Sequence, residues 1–365
     1  MFNVDFKKYD YSLMFIIAIA VVFGAMMVFS SSVIMADVRW SSPYMFFLKQ
    51  MIWVIVGFIS MMITTFFIDY KFYRKYSKIL YIIALTAVIA VLIFGVTRSG
   101  ARRWFSLGFA TIQPSEIAKI AMVIIIAEFI ERKKDLIGEW KGLIAPIVFL
   151  LFIIIPIALE PDLGAPVLIA GVCFAMLFCA GIKLQTVFVM AGAGILLMTA
   201  EILRKPYRLI RMRDYFDSII NIDASSYQVK QSLYALGSGG FFGKGLGKSE
   251  MKLMYLPEAH TDFIFPIVGE ELGFIGAAGV ISFYIYIFFK GIEISKNAPD
   301  KFTEYLALGI TFLIVFQALI NLSVATGIFP AKGLSLPFIS FGGTSLIINM
   351  AAAGILINLS QYKRY

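Results

Sequence analysis

Long apolar runs without a charged side chain recur along this 365-residue chain, at residues 11–34, 51–68, 79–97, 142–159, 163–181, 184–200, 305–325 and 337–359. A helix needs about 20 mostly apolar residues to cross the hydrocarbon core of a bilayer, and these runs are near that length. Two further runs carry charge: 114–130 with Glu116, Lys119 and Glu128, and 262–289 with Asp262, Glu270 and Glu271. With them the chain reads as about ten transmembrane helices. Hydrophobic residues make up 60% of the sequence and charged ones 15%, more apolar surface than a water-soluble core of this size can bury. The runs are continuous rather than alternating, which excludes a barrel, and only a helix then satisfies its own backbone in lipid. The expected fold is an all-α polytopic membrane protein, a single integral-membrane domain over 1–365. The first run is too long for a signal peptide and no small-residue cleavage site follows it, so it reads as a retained span.

Orientation follows from the short loops, where Lys and Arg favour the cytoplasmic side. The 32 Lys and Arg divide evenly until the long segment between spans seven and eight is set aside, about residues 204–261. The remaining bias places both termini in the cytoplasm, with the loops that carry Lys71, Arg74, Lys75 and Lys78, then Arg132, Lys133, Lys134 and Lys141, then Lys290, Lys296 and Lys301. The long loop is then extracytoplasmic. Cys173 and Cys179 lie six apart in one span, on different helix faces, and His260 is the one histidine. No disulfide and no metal-ligand spacing follows. The net charge of +9 belongs to membrane loops, and no nucleic-acid partner is expected.

Positive charge on the outer side suggests an anionic ligand. It gathers in two places: Arg98, Arg102 and Arg103 before the fourth span, and the long loop. Within that loop Arg204, Arg208 and Arg211 fall at i, i+4 and i+7, an interfacial amphipathic pattern. Attraction to lipid headgroups and binding of a particular phosphate both stay open. Residues 237–248 read GSGGFFGKGLGK, which either presents backbone N–H groups to an anion or forms a flexible loop. It is not a nucleotide P-loop, because Phe242 stands where the pattern needs glycine.

Ionisable groups at membrane depth are functional candidates, since each costs roughly 2.5–3.5 kcal/mol at the centre on insertion scales. Glu116 and Lys119 are i, i+3 neighbours in a helix that Pro114 begins well; a buried ion pair and a substrate contact are the alternatives. Glu270 and Glu271 lie in GEELGFIG, where Gly269 and Gly273 have the spacing that lets helices approach closely. Adjacent glutamates point about 100° apart, so they read as structural or gating groups with separate partners. Asp262 stands where the long loop re-enters the membrane, within LPEAHTDFIF. It is the sharpest catalytic candidate, and its competing role is that Thr261 or Asp262 caps the eighth span.

Together, GARRWFSLGFATIQPSEIAK (100–119), EPDLGAP (160–166), QSLYALGSGGFFGKGLGKS (231–249), LPEAHTDFIFPIVGEELGFIG (256–276) and PAKGLSLPFISFGGTSLI (330–347) resemble the FtsW/RodA/SpoVE (SEDS) family. HTDFIF with PAKGL looks more like the division branch than like RodA. Two departures, Pro266 where a small residue is expected and Phe341 where tyrosine is usual, touch no proposed catalytic group. The resemblance implies a ten-helix fold and an inverting peptidoglycan glycosyltransferase that polymerises lipid II at the outer face of the bacterial cytoplasmic membrane, in septal wall synthesis. Its partners would be lipid II, undecaprenyl-diphosphate-linked glycan, membrane lipids and a class B penicillin-binding transpeptidase.

Carried over by motif, the essential aspartate falls on Asp262, the conserved arginine on Arg102 or Arg103, the tryptophan on Trp104 and the polar pair on Glu116 and Lys119. His260, Lys244 and Lys248 complete the expected substrate-binding set. The leaving group is already a diphosphate, so one base and a set of cations meet the chemical demand. No cofactor is evident; a divalent cation at the diphosphate is compatible with the chemistry but not indicated by the residues. A lipid II flippase and a non-catalytic scaffold for the transpeptidase are the alternative functions.

Overall fold

A computed structural model describes residues 9–98, 101–106, 108, 111–133, 136–160, 163–204, 209–210, 212–213, 215–217, 226–253, 255–330 and 333–362. Helices α1 (Tyr11–Trp40), α2 (Met45–Phe66), α3 (Tyr70–Phe94), α4 (Pro114–Lys133), α5 (Trp140–Leu159), α6 (Gly164–Cys179) and α7 (Leu184–Leu203) come first. Then come α8 (Tyr227–Ser238), α9 (Ile264–Lys296), α10 (Lys301–Ala325) and α11 (Gly343–Leu359). Each of the ten expected runs overlaps one of these helices, and α8 lies in the long loop. Six of them, α1, α2, α3, α5, α9 and α10, are long and apolar enough to cross a bilayer, while α6 and α11 are apolar but shorter.

Burial sorts the helices into a centre and a rim. Nearly every residue of α4 is buried, from Pro114 to Ile130, and α10 is 72% buried over its most apolar stretch against 22–44% for the other five long spans. A helix that is apolar all round belongs in a core. Around this centre α2 packs along α11, α3 along α4, and α9 and α6 along α10. The outward faces of the rim keep Phe15, Ile52, Ile82, Ile155 and Ile285 exposed, as lipid-facing positions require.

Three aspartates open helices at the end of the bundle that holds both termini. Asp10 accepts from the Leu13 N–H, Asp69 from Lys71 and Asp300 from Thr303, each cap worth about 1 kcal/mol. The termini are tied together there: the Asp10 N–H donates to Ser360 Oγ at 2.9 Å, and the Tyr70 and Tyr362 rings meet at 4.8 Å. The first and last described helices thus begin and end on one side of the bundle, as an even number of spans requires.

The opposite end carries three features that hydropathy did not reveal. An antiparallel sheet joins α3 to α4 in the order β1 (Val96–Arg98), β2 (Ala101–Ser106), β3 (Thr111–Ile112), so the helical fold carries a small β element. Residues 333–342 are not helical, although 337–342 were expected as the start of the last span; they form a re-entrant segment buried at Leu336, Phe338 and Ile339. Irregular backbone at membrane depth persists only where protein satisfies it, and here side chains do so: Tyr284 Oη donates to the Pro337 carbonyl and Ser340 Oγ accepts from the Leu336 N–H.

The third feature is a break in α9 at Gly273, whose φ of 66° and ψ of −160° leave the helical region. The glycine-rich stretch fills the break. The N–H groups of Lys244 and Gly245 donate to the Glu270 and Glu271 carbonyls, both at 2.9 Å, and the Phe274 and Ile275 N–H groups donate back to Gly240 and Phe241. A Cβ on Gly273 would lie 2.3 Å from the Gly243 nitrogen, and one on Gly243 2.2 Å from the Glu271 oxygen. The glycines therefore serve a backbone-to-backbone splice. This bears on two expectations: 237–248 is bound along α9 rather than standing free, with the Lys244 and Gly245 amides already engaged there, and Gly269 and Gly273 admit the loop and α8 rather than another spanning helix.

Candidate functional site

All five motif segments converge on the end of the bundle opposite the termini. At its centre is Asp262, half-buried in the turn that leads into α9. It does not cap that helix: the N-cap position is Phe263, and no side chain makes a cap hydrogen bond. Thr261 turns away, its Oγ1 donating to the Glu258 carboxylate at 2.8 Å. The capping role expected as the alternative for this pair is thus not what the structure has.

What holds His260, Thr261 and Asp262 is the re-entrant segment and α10, through consecutive backbone carbonyls. The His260 carbonyl accepts from the Phe341 N–H at 2.9 Å, the Thr261 carbonyl from Ser340 Oγ at 2.6 Å, and the Asp262 carbonyl from Asn321 Nδ2 at 2.8 Å. Gly333 lies directly against the carboxylate, so close that a Cβ there would sit 2.7 Å from Asp262 Oδ2. His260 is buried in an aromatic wall, 4.7 Å from the Phe46 ring and 5.7 Å from Phe341. Ala331 and Lys332 of the PAKGL motif fall outside the described residues.

The sheet brings up the arginines. Alternation along β2 leaves Arg102 exposed and Arg103 half-buried with Trp104. Arg103 Nε donates to the Glu160 carbonyl at the end of α5 at 2.9 Å, and Arg102 Nε to Thr97 Oγ1 at 3.3 Å. The far end of the sheet is pinned to α11 by Thr344, whose Oγ1 donates to the Thr111 carbonyl at 2.8 Å. Of the second cationic segment, Arg204 is exposed, while Arg208 and Arg211 fall outside the described residues.

The charges inside the bundle form closed pairs. Glu116 and Lys119 make an ion pair at 2.7 Å, and Lys119 is only 2% exposed. Lys119 also donates to Gln317 Oε1 at 2.8 Å. Glu270 and Glu271 are both fully buried and face different lysines, Lys244 at 2.9 Å and Lys252 at 3.1 Å. Ser249 adds a hydrogen bond to Glu270 and Ser30 another to Glu271. The hydrogen bond to Glu270 holds the Lys244 ammonium above its ordinary value, with burial pulling against it. That stabilisation is complete at neutral pH and is lost only as pH climbs through the raised value. Lys244 is thereby engaged within the protein, whereas Lys248 is exposed.

Several residues of this region escaped the reading of the sequence. Gln317, Asn321, Ser335, Ser340 and Thr344 carry no charge and were passed over in a search for ionised groups. A signal existed: Gln317 and Asn321 stand at i, i+4 in a mostly apolar span, and amide side chains within membrane helices hydrogen-bond across to neighbouring elements.

Comparison with known proteins agrees with this geometry. The profile of the FtsW/RodA/SpoVE family, described as a cell cycle protein, matches residues 11–365. Stage V sporulation protein E of Bacillus subtilis is 38% identical over 364 residues, covering 98% of each chain. A probable peptidoglycan glycosyltransferase FtsW of Trichlorobacter lovleyi is 38% identical, covering 97% of this chain and 93% of its own. Among solved structures, a chain of a peptidoglycan synthase complex that coordinates polymerisation and crosslinking superposes with a TM-score of 0.78 at 25% identity, over 96% of this chain and 97% of that one. The rod shape determining protein RodA of Thermus thermophilus superposes with a TM-score of 0.73 at 25% identity, over 96% of both chains.

Proposed function

The chain belongs to the FtsW/RodA/SpoVE family of cell cycle proteins, and from that premise we propose how it works as a peptidoglycan glycosyltransferase of cell division. It polymerises lipid II at the outer face of the cytoplasmic membrane, with Asp262 as the base. The observation that carries this reading is the placement of Asp262: a half-buried carboxylate at the meeting point of the motif segments, its backbone fixed from α10 and the re-entrant segment.

The acceptor sugar's 4-hydroxyl attacks the anomeric carbon of the donor, whose bond to the undecaprenyl diphosphate breaks with inversion. The Asp262 carboxylate takes the hydroxyl proton as the new glycosidic bond forms. No acid is required, because the diphosphate leaves as a stable anion. Arg102 and Arg103, presented by β2 at the same end of the bundle, supply charge-assisted hydrogen bonds to it. A flippase would need charged groups along an open path, whereas Glu116, Lys119, Glu270 and Glu271 are buried in closed pairs, which favours the polymerase. Likeness to a chain of a complex that polymerises and crosslinks supports a crosslinking partner for this chain too, which we take to be a class B penicillin-binding transpeptidase at the septum.

The test is polymerisation of lipid II by the purified chain, with and without that transpeptidase, comparing Asp262→Asn with the native sequence. The amide cannot take a proton, and a positioned base is worth typically 10²–10⁴ in rate. Glycan made by the Asn variant at more than about a tenth of the native rate would remove Asp262 from the chemistry.

A further inference from the structure

Two amides on one face of α10 join the buried Glu116–Lys119 pair to the backbone beneath Asp262. Gln317 and Asn321 stand four residues apart, 0% and 2% exposed. Gln317 accepts from Lys119 at 2.8 Å and donates through Nε2 to the Ser335 carbonyl at 2.8 Å. Asn321 donates both hydrogens of one nitrogen, to the Asp262 carbonyl at 2.8 Å and to the Leu334 carbonyl at 2.6 Å. Its own carbonyl oxygen is buried without a hydrogen-bond partner.

That last detail separates a packing role from a positioning role. An idle buried acceptor costs about 1–3 kcal/mol, and leucine would fill the same space without it. Both neighbours of Asn321 are carbonyl oxygens, so the amide must point its nitrogen at them, and the orientation is fixed by chemistry. Only a double donor bridges two carbonyls, one from the HTD turn and one from the re-entrant segment. The bridge sets Leu334, and with it Gly333, against the Asp262 carboxylate, so that a Cβ at 333 would displace the carboxylate oxygen 2.7 Å away. One turn deeper, Gln317 holds the next carbonyl of the same segment and is itself held by a lysine too buried to meet a lipid-borne diphosphate.

We infer that Gln317 and Asn321 are positioning residues that set the Asp262 carboxylate against Gly333, and that Glu116 and Lys119 act through Gln317 rather than on the substrate. This rests on the reading of Asp262 as the base. A misplaced base fails in the chemical step, so the signature is a loss of kcat with KM retained. An error of about 1 Å in such a group can cost 10²-fold.

The experiment uses the full chain, purified with its transpeptidase partner, and measures kcat, KM for lipid II, the pH dependence of kcat/KM and the thermal midpoint. The variants are Asn321→Leu, Gln317→Met, Lys119→Met, the Gln317→Met/Lys119→Met double variant, and Asp262→Asn. Asn321→Leu is expected to lower kcat roughly ten- to a hundredfold, keep KM within about twofold and move the acid limb of the pH profile. Gln317→Met and Lys119→Met should lower the kcat of folded protein alike, though only the latter also lowers the thermal midpoint by leaving Glu116 unpaired, and the double variant should lower kcat no further than either alone, because they break one chain of contacts. Native kcat in a folded Asn321→Leu protein overturns the inference. So does a Lys119→Met effect confined to KM, or additive losses in the double variant. If Asn321→Leu does not fold, the Gln317 and Lys119 series decides alone. Full activity in Asp262→Asn would sink the catalytic reading itself; an inactive Asp262→Asn beside native amide variants sinks only the positioning role.

Discussion

Strand alternation turns Arg102 and Arg103 to opposite faces of β2, so two adjacent cations do different work. Arg102 is exposed and its Nε donates to Thr97, within its own sheet. Arg103 is half-buried and reaches across to the end of α5. Replacing Arg102 by Gln is expected to weaken lipid II use while leaving the thermal midpoint in place. Replacing Arg103 by Gln should lower both, since a hydrogen bond from a charged group contributes about 1.5–3 kcal/mol and here it anchors the sheet. Thermal unfolding in detergent beside lipid II polymerisation separates them; equal midpoints would show that the bond to Glu160 does not hold the sheet in place. The run GARRWF showed that cations gather here but not which arginine is the tether, because three strand residues do not announce a sheet. The same limit applies to Asp262, whose neighbour Gly333 lies 71 positions away in sequence.

Among the elements, α9 shows where hydropathy stops being informative. Residues 262–289 read as one mostly apolar run, yet the 33-residue helix found there is broken at Gly273 and spliced to the glycine-rich loop. Both partners were visible as glycine-rich stretches, GEELGFIG and GSGGFFGKGLGK, but pairing them needs contacts across about thirty residues, which no local period encodes. The buried glutamates belong to this splice, since Lys244 and Lys252 from the loop neutralise Glu270 and Glu271 just ahead of the break. Lys252→Met is therefore expected to destabilise strongly, by about 3–5 kcal/mol, because it leaves Glu271 buried and uncompensated. Adding Glu271→Leu should restore most of the loss, since an apolar pair of similar volume is often neutral. Thermal unfolding of the two variants in detergent decides it, and a single variant as stable as the native chain would show that the pair does not hold the splice. The aspartate caps at the other end were not read from the sequence either, although Asp10, Asp69 and Asp300 each stand two or three residues ahead of the target amide, a local signal.

At the scale of the whole molecule, the fold reduces orientation to one binary choice. Asp10 with Ser360 and Tyr70 with Tyr362 lie together at one end, and Asp262 with the described residues of the five motifs lies at the other. Whichever side holds the termini, the candidate site faces the opposite one. The short-loop cations argue for a cytoplasmic side at that end, a bias visible only once the lysines and arginines of the long loop are set aside. The structure gives two of them a reason unrelated to topology: Lys244 and Lys252 neutralise glutamates inside the bundle, and the positive-inside bias does not extend to such long loops. Cysteine labelling in intact cells tests the choice at two exposed lysines, Lys75 near the start of α3 and Lys248 in the loop. An impermeant maleimide is expected to modify Lys248→Cys and to reach Lys75→Cys only after the membrane is opened. The reverse pattern would put Asp262 in the cytoplasm, where the leaflet that exposes finished glycan is out of reach, and extracytoplasmic polymerisation would fall with it.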